Sequence, residues 1–76
     1  MNKGRRDEIS RARGMIEEAK AILETAQQEE QEYFDNMPEN MQGSDKGQRA
    51  EEAAGQLEEA INALDEVISN CEDAIQ

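Results

Sequence analysis

Ala50-Glu51-Glu52-Ala53-Ala54, Leu57-Glu58-Glu59-Ala60-Ile61, Leu64-Asp65-Glu66-Val67-Ile68 and Cys71-Glu72-Asp73-Ala74-Ile75 are four copies of one seven-residue pattern. Apolar side chains take the first, fourth and fifth places, and a pair of acids takes the second and third. A helix through this segment therefore displays an apolar band and a carboxylate stripe on roughly opposite faces. Between Ala50 and Gln76 there are eight carboxylates and no Lys or Arg. Exposed helices usually mix signs, because a Glu and a Lys one turn apart add a few tenths of a kcal/mol. Forgoing every such pair marks Glu51, Glu52, Glu58, Glu59, Asp65, Glu66, Glu72 and Asp73 as a candidate partner-binding stripe.

The first half has its own period. Ile9, Ile16, Leu23 and Met37 fall on a seven-residue series that Glu30 interrupts, and Ala12, Ala19, Ala26 and Tyr33 follow three residues behind. This spacing predicts a helical seam from Asp7 to Asn36 with large residues at one core position and alanine at the other. Pro38 drives Met37 out of the helical region and ends the first helix near Asn36. Pro38 then starts a single turn that Gly43 closes, and Ser44 or Asp45 caps the second helix. Gln48 suits a capping box with Asp45, while Gly47 weakens that turn.

Two helices, at about 5–36 and 45–75, joined by a connector at 37–44 must fold back on each other. The expected fold is all-α: one domain over residues 1–76, a coiled-coil-like antiparallel hairpin forming a rod roughly 45 Å long. Met15 and Ile22 widen the apolar band of the first helix, and Ile61, Ile68 and Ile75 widen that of the second. Each helix thus wants a second neighbour. Self-association through these five residues into a helical bundle follows, with a homodimer as the minimum.

Composition limits what such a chain can do. Its 76 residues allow one domain, and a core of that size supplies only about 3–5 kcal/mol. One Cys permits no intrachain disulfide, and without His the usual zinc and haem ligand sets are missing, so no metal or cofactor is expected. The basic start precedes no apolar h-region, and no 18-residue apolar run occurs, which points to the cytoplasm rather than secretion or a membrane. With no His, no glycine-rich phosphate loop and only exposed carboxylates, the chain is not read as an enzyme. A net charge of −11 disfavours duplex nucleic acid and anionic membranes, and favours a basic protein surface.

That charge is uneven. Residues 1–20 carry six of the eight Lys and Arg against four acids, a balance of +2, whereas the other 56 residues carry two bases against fifteen acids, a balance of −13. Folding back sets Arg5, Arg6 and Arg13 beside Glu66, Glu72 and Asp73. Arg6, Arg13 and Lys20 also share one stripe, which allows two readings: a possible anion-binding pocket where copies meet, or pairing with the acids of the second helix. The acid stripe likewise reads either as a solubilising face or as a nucleic-acid mimic. Its eight charges over about 34 Å approach the spacing of DNA phosphates, about 3.4 Å apart on one strand. In the connector, Phe34, Met37 and Met41 cover the end of the bundle, or else Met41 and Asn40 are presented to a partner as a recognition loop. Cys71 falls at a core position. Asp35 opens no calcium loop, because Met37 and Pro38 stand where ligands are required.

The run Glu29-Glu30-Gln31-Glu32-Tyr33-Phe34-Asp35-Asn36-Met37-Pro38-Glu39-Asn40-Met41-Gln42-Gly43-Ser44, followed by the acidic repeats, resembles a group of small acidic proteins encoded in bacteriophage and prophage genomes. The resemblance extends from about Ser10 onward and is most specific between Phe34 and Gly47. It brings no enzymatic activity and no functional residues. It implies a setting: an accessory protein in the host cytoplasm that inhibits a host enzyme or defence system through a basic surface. Two other functions fit the residues, an oligomeric sponge for a nucleotide-like anionic signal and a structural coiled-coil adaptor.

Overall fold

The computed structural model describes all 76 residues and contains three helices, α1 (Lys3–Asp35), α2 (Glu39–Gln42) and α3 (Asp45–Ala74), with no strand. The class is all-α. Asn2 caps α1, its side-chain oxygen accepting the Arg5 backbone N–H at 2.8 Å. The helix ends at Asn36 because Pro38 follows two residues on, and the Pro38 carbonyl then accepts from Met41 N at 2.8 Å and Gln42 N at 3.1 Å to make the single turn of α2. Gln42 turns its amide back over the end of α1, donating to the Phe34 and Met37 carbonyls at 3.3 Å each. Those carbonyls lie at the end of a helix, where further donors are scarce.

Ser44, rather than Asp45, caps α3: its hydroxyl accepts Gly47 N at 3.3 Å and donates to the Met41 carbonyl. The capping box is not formed. Gln48 instead donates to the Gly43 carbonyl at 3.3 Å, tying α3 to the connector. Gly43 itself has φ −82°, an ordinary helical value, so it closes α2 without using glycine's extra freedom.

α1 and α3 lie side by side in opposite directions. Arg13 pairs with Glu72 and Lys20 with Asp65, so seven residues up one helix match seven residues down the other. The chain measures 58 × 14 × 14 Å with a radius of gyration of 17.2 Å, against about 11 Å for a compact domain of this length. It is an elongated pair of long helices.

The seam differs from the expected one by one residue on α1. Ala12, Ala19 and Tyr33 are exposed, and the half-buried positions that follow Ile9, Ile16, Leu23 and Glu30 are Arg13, Lys20, Gln27 and Phe34. A step of four from each large residue wins over a step of three because Phe34 and the long stems of Arg13, Lys20 and Gln27 cover more apolar surface than alanine does, while the charged ends of Arg13 and Lys20 meet Glu72 and Asp65 across the seam. On α3 the first and fifth places of each repeat face α1. Ile61, Ile68 and Ile75 are therefore half-buried in the seam and do not form a free flank. The fourth place is exposed at Ala53, Val67 and Ala74 and half-buried at Ala60.

Burial is thin everywhere. Ala50 and Ala54, at 3% and 2% exposure, are the only buried apolar residues, and both lie at the connector end, where Gly47 is also buried and the backbones come close.

Candidate functional site

Two opposite faces flank the seam. In antiparallel helices, equivalent repeat positions lie on the same side of the pair. The second places of the α3 repeats, Glu51, Glu58, Asp65 and Glu72, thus share one side with Glu17 and Glu24 of α1. A shallow groove lined by Glu24, Gln27, Gln28, Glu58, Ile61 and Asn62 runs along this side. The third places, Glu52, Glu59, Glu66 and Asp73, point farther out to solvent, and all eight acids of the stripe are exposed.

Only two of the eight have counter-ions. Glu72 lies 3.6 Å from Arg13, which also approaches Glu17 at 3.8 Å, and Asp65 pairs closely with Lys20. The hydrogen bond to Asp65 raises the Lys20 pKa above the usual 10.5; partial desolvation opposes this, and the nearby charges of Asp65, Glu24 and Glu17 reinforce it. Glu51, Glu52, Glu58, Glu59, Glu66 and Asp73 form no ion pair, and neither do Arg5 and Arg6. The stripe of Arg6, Arg13 and Lys20 is therefore largely engaged within the chain, with Arg6 alone left over.

The second face carries apolar side chains. Met15 and Ile22 are 61% and 69% exposed, and Ala12 and Ala19 beside them are also exposed. Near the connector this face forms a groove lined by Glu30, Tyr33, Asp45, Lys46, Arg49, Ala50 and Ala53, with the Lys46 ammonium 5.9 Å from the centre of the Tyr33 ring. The Lys46 contact escapes sequence reasoning because it follows from Tyr33 standing outside the seam. In the connector, Met37 is half-buried, whereas Asn40 and Met41 are exposed.

No helix is long and apolar enough to cross a membrane. Compared with known proteins, the chain matches no family model, no curated protein and no solved structure.

Proposed function

We propose that this protein is a non-catalytic accessory inhibitor, a self-associating helical hairpin whose acidic face binds a basic surface on a host protein in the manner of a nucleic-acid mimic. The observation that carries this reading is the set of six exposed acids on α3 without a counter-ion, held in a line by one uninterrupted 30-residue helix. A face that served solubility alone would work equally well with its charges scattered and mixed in sign. Alignment at a fixed rise is what a row of bases spaced for phosphates would select. The resemblance to small phage proteins adds the setting: an anti-defence or host-takeover role in the host cytoplasm. The anion-sponge reading has less support, since Arg13 and Lys20 already have carboxylate partners.

The test is recovery of the tagged protein from host cells in low salt, followed by mass spectrometry. A basic, nucleic-acid-handling protein that elutes as salt rises supports the reading. Recovery of a small anion, or of self-copies alone, counts against it.

A further inference from the structure

We infer that the Met15–Ile22 face of α1 is the docking surface for a second copy of this chain, arranged antiparallel about a two-fold axis. The inference rests on the self-association reading but not on the acidic-face reading.

The chain exposes more surface than its size requires. A compact chain of 8.5 kDa exposes roughly 4,650 Å². This one exposes 5630 Å². The excess, roughly 1,000 Å², is spread along the 58 Å rod and leaves surface enough to supply the ~800 Å² that each partner contributes to a stable interface. Nothing larger than alanine is fully buried within the chain. Apolar surface on α1 is left over: Ala12, Met15, Ala19 and Ile22 are exposed and alternate by three and four residues, and half-buried Ala26 continues the row as a second heptad seam. Val67 of α3, 40% exposed, borders it on the same side.

This seam is also complementary to itself when reversed. Sliding an antiparallel copy so that Met15 meets Ala19 also sets Ile22 on Ala12, large against small at each layer. The same register brings Arg5 opposite Glu29 of the second copy, at both ends of the interface. Both residues lie on this seam, both are exposed, and neither has an ion-pair partner in its own chain. Alanine at every other layer lets the two α1 helices approach closely. The acidic sides of both copies stay outside, so the dimer offers two stripes to a partner.

Light scattering after gel filtration tests the surface and the register separately. The wild-type chain should give at least twice its 8.5 kDa mass. Ile22→Glu should raise the dimer dissociation constant by about a hundredfold or more, because it places an unpaired charge in the interface. Arg5→Glu and Glu29→Arg should each weaken the dimer, and the double exchange should restore it. Should Ile22→Glu also lose helicity, the interface is supported further, since a side chain this exposed has no fold to disturb in the lone chain. A wild-type monomer, an Ile22→Glu protein of unchanged mass, or an exchange that fails to restore association overturns the inference.

Discussion

A side chain on Gly47 would collide with the backbone of Gln42: a β-carbon built there lies under 3.0 Å from the carbonyl oxygens of both Gln42 and Met41. Gly47 is buried where α3 passes beneath the connector, so this glycine is fixed by close approach and not by an unusual dihedral. Gly47→Ala should therefore destabilise the protein by about 1–3 kcal/mol, the usual cost of forcing atoms into a filled site. Gly43→Ala should do the opposite. Its backbone is helical and nothing lies within 4 Å of the new methyl, so the chain should gain about 0.4–1 kcal/mol through a less flexible unfolded state. Urea unfolding of the two variants checks the pair, and equal effects would contradict it.

Lys20 gives a pH dependence of known sign. Its folded-state pKa lies above the unfolded 10.5 because Asp65 holds the charged form. The stabilisation is therefore complete below pH 10.5 and is lost as pH rises through the folded value. The stability difference between wild type and Lys20→Met should be constant from neutral pH to about pH 10 and shrink above it. Comparing two proteins cancels the other groups that titrate in alkali. A difference that grows with pH would be incompatible with the pairing.

How much of this was legible in the sequence follows from which signals are local. Pro38 and the repeat in α3 act over a few residues, so the helix pair and its connector could be read directly. The α1 seam could not, because two stripes compete there: Ala12, Ala19 and Ala26 on one side and Arg13, Lys20 and Gln27 on the other. Periodicity treats Arg and Lys as surface residues, whereas in the fold their stems lie in the seam and their charges meet Glu72 and Asp65 on the other helix. The role of Gly47 is hidden in the sequence for a similar reason. Its role depends on Gln42 passing overhead, a tertiary fact that helix propensity does not contain.

The position of Ile61 and Ile68 sets a further expectation. Both are half-buried against α1, so changing them together to Ser should unfold the helix pair itself, at about 1.5–3 kcal/mol for each fully buried side chain and less here. Circular dichroism should show lower helicity at every protein concentration. If the double variant instead stays helical and only its mass falls, these residues belong to an interface between copies.

The acidic face should be separable from the fold. Glu52, Glu59, Glu66 and Asp73 stand seven residues apart on the outer side of α3 and have no ion-pair partners, so converting them to Gln or Asn removes repulsion and no contact. Helicity should be unchanged, and the melting temperature should rise slightly in low salt, fading once the Debye length falls to about 8 Å at physiological ionic strength. Binding to a basic partner should move the other way, the on-rate falling by on the order of tenfold or more at low salt. A matched control is Asp65→Asn with Glu72→Gln, which breaks both cross-seam pairs and should cost about 0–1 kcal/mol each while leaving the outer four charges in place. If the control loses partner binding and the fourfold variant keeps it, the cross-seam pairs carry the interaction and the outer stripe is a solubilising face.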